Sequence, residues 1–476
     1  MTTLNRLRVK NSTLCRGPID RRSWLKLGGL SLGALASGLS PSLSSLLSAS
    51  ENNSVDDDLS VILFWANGGP SQLDTFDLKP DSPIEYRGPF RPIETNVPGI
   101  EICELFPNLA KIADKFSIVR SLHHNRGQHS GGACRMLTGY SPVAANPIDA
   151  EFPEIGSVVA KQLEDQATEI PPLIANTKFY GGGPAYLGAA YSPYMPNPNP
   201  LTSSGANQYD PVPIYTSGSG SLTITEDGIR SLETRARLLS TFDKFRRELD
   251  KSGGMTAVDK FNQQAVRMLA SPKTRDAFDI SRESEATRRR YGDTHWGRSL
   301  LTCRRLVEAG CRFVQCQATF RLKPETGRTS TWDDHSVNAD IFKSYQEKLP
   351  VFDEAVPALI NDLYERGLDK RVLFVFCGEF GRTPKIAHQD KSKRPGRDHW
   401  PQAMSIFLSG GGLKMGQVIG ATNSKAEEPV DRIMNSNCLL ATIYHRFGID
   451  TSHHFLDNAG RPMPILTDGT PIRELI

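Results

Sequence analysis

Apolar positions along the chain fall into two periods. Residues 59–66 form an apolar run, interrupted only by Ser60, that stops at Asn67-Gly68-Gly69-Pro70, and residues 372–377 form an unbroken one that stops at Gly378. Short continuous runs closed by turn residues read as strands buried on both faces. Residues 116–119 and 312–316 read the same way, and residues 404–408 run into a Gly-Gly-Gly turn. Helical spacing fills the intervals. Leu300, Leu301, Leu306 and Val307 precede Gly310; Phe352, Val356, Leu359, Ile360 and Leu363 precede Gly367; residues 437–447 precede Gly448. Glycine just beyond a periodic apolar stretch marks a helix end. Residues 133–137 predict the opening turns of a further helix. The alternation predicts an α/β fold in three layers, a mainly parallel sheet with helices on both faces.

Two stretches break the rhythm. Between positions 171 and 213 stand nine prolines with several tyrosines, so residues 171–223 predict an irregular loop insertion. Leu238, Leu239, Phe242 and Phe245 share one side of a charged helical pattern, and residues 231–290 predict a helical cap.

Charge changes the picture at the N-terminus. Seven of the 56 basic residues but one of the 53 acidic ones lie in the first 50 positions, which leaves the remainder slightly acidic. That balance excludes nucleic acid as a partner. Asp20-Arg21-Arg22-Ser23-Trp24-Leu25-Lys26 precedes a weakly apolar, Gly- and Ser-rich stretch, so residues 1–50 read as a twin-arginine export signal, with the twin-arginine translocase as a transient partner. A periplasmic or cell-surface location follows, with residues 51–476 as the mature domain. No apolar run is long enough to predict a transmembrane span there. Seven cysteines remain after the signal, an odd number without a Cys-x-x-Cys pair, and read as buried thiols.

Candidate chemistry gathers behind the strands, where ligands collect in open α/β sheets. The first strand leads to Asp74, the second to His124, His129 and Ser130, the strand at 312–316 to Asp333 and His335, and the strand at 372–377 to Glu379 and Arg382; Arg397, Asp398 and His399 follow. Carboxylates and imidazoles at several strand ends suit one or two divalent cations such as zinc, manganese, magnesium or calcium. Arg382 and Arg397, with His124, are candidates to hold an anionic group.

Four motifs carry a resemblance. They are Asn67-Gly-Gly-Pro-Ser-Gln-Leu-Asp-Thr-Phe-Asp77, Trp332-Asp-Asp-His335, Gly378-Glu-Phe-Gly-Arg-Thr-Pro384 and Gly396-Arg-Asp-His-Trp-Pro401. Together they resemble the twin-arginine-exported bacterial family called domain of unknown function 1501, itself similar to the alkaline phosphatase and sulfatase superfamily. The resemblance implies an alkaline-phosphatase-like sheet, a metal site, and a nucleophile at a helix N-terminus. Arg135-Met-Leu-Thr-Gly139 looks like the segment after a sulfatase nucleophile, which implies Ser130 as nucleophile beside His129 as its catalytic partner. Asp333, His335, Glu379 and His399 fall at the superfamily's metal positions, with Asp398 beside them. Asn67 departs from the usual aspartate, so Asp74 becomes the candidate ligand after the first strand. No Cys-x-Pro-x-Arg surrounds Ser130, which argues against formylglycine chemistry.

The expected function is an exported metal-dependent hydrolase of phosphate or sulfate esters, on a small molecule or a polysaccharide. The competing readings are an envelope binding or scaffold protein that kept the fold without the chemistry, and an isomerase using the same metal edge.

Overall fold

The computed structural model describes residues 58–147, 149–166, 169–197, 211–215, 271–320, 331–337, 339–388 and 393–476. The signal at 1–50 and residues 231–270 of the expected helical cap lie outside them. The described residues fall within the compact unit Asp56–Ile476.

The apolar runs become the central strands. They are β1 (Ser60–Trp65), β2 (Ser117–His123), β3 (Leu173–Ala175), β4 (Phe313–Gln317), β5 (Val372–Cys377), β6 (Met404–Gly410), β7 (Gln417–Ile419) and β8 (Met434–Asn435). They form one sheet in the order β7-β2-β6-β5-β1-β4-β3, with β8 beside β2. β1 pairs in parallel with β4 and β5, and β4 in parallel with β3. β6 runs antiparallel to both β2 and β5, so β2 and β5 point the same way. The carboxyl ends of β1, β2, β4 and β5 therefore share one edge, and β6 starts from that edge.

Alternation along β1 sorts the two cores. Ile62 and Phe64 face one layer, and Val61, Leu63 and Trp65 face the other. The first layer holds α3 (His295–Glu308) and α4 (Ile341–Glu365), whose Trp296, Leu300, Phe352 and Leu359 pack below Phe64. The second holds α1 (His129–Thr138), α2 (Ile155–Gln162) and α5 (Ser436–Arg446). This is the three-layer α/β arrangement. Polar caps set two of these helix starts: Thr294 Oγ1 accepts from the Gly297 amide at 3.1 Å, and Asp340 Oδ1 accepts from Phe342 and Lys343.

Three local expectations change. Residues 129–132 belong to α1, which starts four residues before the apolar pattern of 133–137 because its first turn is His-Ser-Gly-Gly. Residues 173–175 of the proline-rich stretch form the edge strand β3, and two short 3-10 turns, Ala185–Leu187 and Ala189–Tyr191, follow. Residues 271–290 form three short helical pieces, Pro272–Phe278, Ile280–Arg282 and Glu285–Arg290. No helix among the described residues is long and apolar enough to cross a membrane. All seven described cysteines are free thiols, six of them buried.

Candidate metal centre

Loops leaving β2, β4 and β5 bring four side chains together at the carboxyl edge. Donor atoms of His129, Asp333, His335 and His399 all lie within 4.8 Å of one another. The Asp333 carboxylate is the hub. Its Oδ1 stands 2.8 Å from His335 Nε2 and 3.1 Å from His399 Nε2, and its Oδ2 stands 3.3 Å from His129 Nε2. A tetrahedral ion with bonds of about 2.1 Å keeps its donors about 3.4 Å apart.

Each imidazole is held from behind by its other nitrogen. His129 Nδ1 meets Glu379 Oε1 at 2.7 Å, His335 Nδ1 meets Asp398 Oδ1 at 2.7 Å, and His399 Nδ1 meets the Gly127 carbonyl at 2.8 Å. With Nδ1–H donated to these acceptors and a metal in place of any Nε2 proton, three Nε2 lone pairs would converge beside one carboxylate. His335 Nε2 and His399 Nε2 are only 2.9 Å apart. Lone pairs that close to each other and to an anion repel unless a cation or added protons stand between them. The donor set fits a divalent metal held by three imidazoles and one carboxylate.

Electrostatics agree with the geometry. Burial opposes ionisation of Asp333, yet hydrogen bonds from His129, His335 and His399 and the Arg382 charge hold its carboxyl far below the usual range. Burial also opposes a charge on His129, but hydrogen bonds to Asp333 and Glu379 carry its imidazole up to about 9. Burial pushes His399 down despite its bond to Asp333, and the Arg382 charge adds to the effect. Without a metal the His129 imidazolium offsets carboxylate charge; a metal would displace its Nε2 proton.

The supporting loops are fixed by two buried arginines. Arg382 donates through Nε to Gly69 O at 3.0 Å, through Nη1 to Arg397 O at 3.0 Å, and through Nη2 to Asp333 Oδ1 at 2.7 Å, Trp332 O at 3.0 Å and Gly68 O. It ties the turn after β1 to the segment after β4. Gly68 sits at φ +105°, and a Cβ there would meet the Asp333 amide nitrogen at 2.3 Å, so the hub is reached only because that position has no side chain.

Residues 58–476 match the family described as "Protein of unknown function (DUF1501)". The chain belongs to this DUF1501 family. No curated protein sequence matches it. Among solved structures it is similar to the PsFucS1 sulfatase of Pseudoalteromonas sp., with 10% identity, 85% of this chain and 70% of that chain covered, and a TM-score of 0.38. It is also similar to a phosphonate monoester hydrolase of Agrobacterium radiobacter, with 10% identity, 88% and 77% covered and a TM-score of 0.36. A third is the C-terminal periplasmic domain of EcEptC from Escherichia coli in complex with Zn, with 10% identity, 88% and 92% covered and a TM-score of 0.35.

Not every candidate residue of this DUF1501 chain reaches the cluster. Asp74, expected as a ligand, is fully buried against Arg397, whose Nε donates to its Oδ2 at 2.8 Å, and it also accepts from Ser71 Oγ. Arg397 spends its other donors on the Tyr86, Thr383 and Pro384 carbonyls. Arg382 and Arg397 have no exposed surface, so neither is placed to clamp a substrate anion; both hold loops instead. His124 is closed off as well: Nε2–H donates to Glu379 O at 2.6 Å, Nδ1 accepts the Arg126 amide, and burial pushes its pKa down to about 4. Glu379 and Asp398 stand behind His129 and His335, one layer out from the expected ligand position. His129 is the first-turn side chain of α1 that reaches Asp333. Ser130 follows it, buried, its amide donating to Asn146 Oδ1 at 3.3 Å.

Two supports had no reading in the sequence. The Gly127 carbonyl behind His399 is a backbone group and leaves no residue signal. Asp334, between the two cluster residues Asp333 and His335, forms a fully buried pair with Lys348 of α4 at 2.9 Å and anchors the segment from below.

Proposed function

We propose that this protein is a metal-dependent hydrolase of phosphate or sulfate esters, exported across the cytoplasmic membrane. The observation that carries the reading is the convergence of three imidazole Nε2 atoms on Asp333, each ring steered by a separate acceptor. A metal bound there would supply Lewis-acid polarisation of an ester oxygen. His129, His335, His399 and Asp333 would hold it; Glu379, Asp398 and the Gly127 carbonyl keep the rings aimed. Ser130, in the first turn of α1, is the hydroxyl we assign as nucleophile, consistent with the motif resemblance around residues 135–139.

The test uses full-length protein loaded in turn with zinc, manganese, magnesium and calcium against aryl phosphates, phosphodiesters and aryl sulfates. Turnover with one of these metals that vanishes in His399→Ala supports the reading, and its absence with every metal overturns it. Ser130→Ala separates the roles within it: unchanged turnover removes Ser130 as nucleophile.

Two observations favour a second reading, a binding protein of the envelope without turnover. Asn67 follows β1 where the superfamily places an aspartate, and the buried Arg382 and Arg397 spend their donors on loop carbonyls, Asp333 and Asp74. Glycan binding with no turnover by the metal-loaded protein would support it.

A further inference from the structure

A cavity lies beside α1, the helix that carries His129. Glu154, the residue that opens α2, is 1% exposed, and its carboxyl lines a cavity of about 340 Å³ between residues 149–154 and the loop at 178–185. A Cβ on Gly182 would lie 2.5 Å from Glu154 Oε2, so the carboxyl stands directly against the cavity wall. Phe179, held by stacking on Trp65 at 5.6 Å, gives an apolar wall, and Pro184 and Met195 give two more. Lys178 and Asp149 pair at 2.9 Å on the exposed rim.

This loop rests on α1. A Cβ on Gly181 would stand 2.7 Å from the Ser130 carbonyl, and one on Gly182 3.4 Å from Leu137. The cavity therefore neighbours the helix turn that carries His129.

Its chemistry selects one class of occupant. The volume falls at the lower end of ligand pockets. Lys178 and Asp149 neutralise each other on the rim, so the cavity mouth presents no net charge to select an ion. Apolar walls with one buried carboxyl, steadied by the Gln315 side chain and the Gly183 backbone, suit a ring that has C–H faces and hydroxyl edges. Burial carries the Glu154 carboxyl up to about 7, so below that pH it both donates and accepts hydrogen bonds, as hydroxyl partners require.

We propose that this cavity binds a neutral sugar ring, the glycosyl part of the ester cleaved at the metal cluster; the second half rests on the hydrolase reading. The experiment titrates full-length protein with methyl glucoside, galactoside and mannoside, followed by ligand-observed NMR. Binding of at least one is expected, unchanged in His399→Ala and weakened by about tenfold or more in Ala150→Phe and in Met195→Trp, two lining positions whose larger side chains would fill the cavity. No binding by the wild type, or equal binding by both filled and folded variants, overturns the proposal. Sugar binding without ester turnover defeats only the hydrolase reading, whereas ester turnover without sugar binding defeats only the cavity.

Discussion

The Glu379 carboxylate shows how much one residue does at this centre. Its Oε1 takes both the His129 Nδ1 proton and the Gly68 amide, each at 2.7 Å, while Oε2 is buried without a hydrogen-bond partner among the described residues. Glu379→Gln keeps the shape and weakens the acceptor, so metal affinity should fall by about 10–100-fold. Competition against a chromophoric chelator measures it, and unchanged affinity would remove Glu379 from the centre. Glu154 gives a second prediction. Its carboxyl titrates near 4.5 when unfolded and about 7 when folded. Between those values the folded state holds the extra proton, so stability falls as pH rises through that window, by roughly 3 kcal/mol in all. Glu154→Gln should match the wild type near pH 4 and exceed it at pH 8, as read from urea midpoints; parallel pH profiles would contradict this.

At the scale of elements, strands were legible and the roles of loop residues were not. Residues 59–66 and 372–377 announce buried strands because a strand covered on both faces has no polar face to show. The α1 start was hidden because Gly131 and Gly132 carry no helical signal. They stand there because a Cβ would meet Ala145 O at 2.6 Å or Phe380 Cδ1 at 3.0 Å. Asp333, His335 and His399 could be placed at the site from strand order alone. Asp74 could not be excluded from it, since a carboxylate after β1 looks the same whether it meets a metal or Arg397. That pair now makes its own prediction. Both side chains are 0% exposed, so Arg397→Met strands an unpaired buried charge and should cost about 3–5 kcal/mol. Asp74→Leu combined with Arg397→Met should recover most of the loss, and thermal melts of the three variants decide between a paired and an independent role.

Across the whole molecule, the cluster is where separate chain segments are joined. His129 follows β2, Asp333 and His335 follow β4, and His399 lies between β5 and β6, so one ion would cross-link three segments spread over residues 129 to 399. An ion that binds the folded state alone stabilises it by about 2.7 kcal/mol at a hundredfold excess over its dissociation constant. Metal should raise the melting temperature by several degrees, and a chelator should reverse the rise. His399→Ala should melt at one temperature with or without metal, because it lacks one of the three convergent nitrogens. Glu379→Gln should fall between the two, regaining the shift at higher metal concentration. A wild-type shift that persists undiminished in His399→Ala would locate the stabilising ion elsewhere and leave the Asp333 hub as a protonated hydrogen-bond network, with His129 carrying the charge.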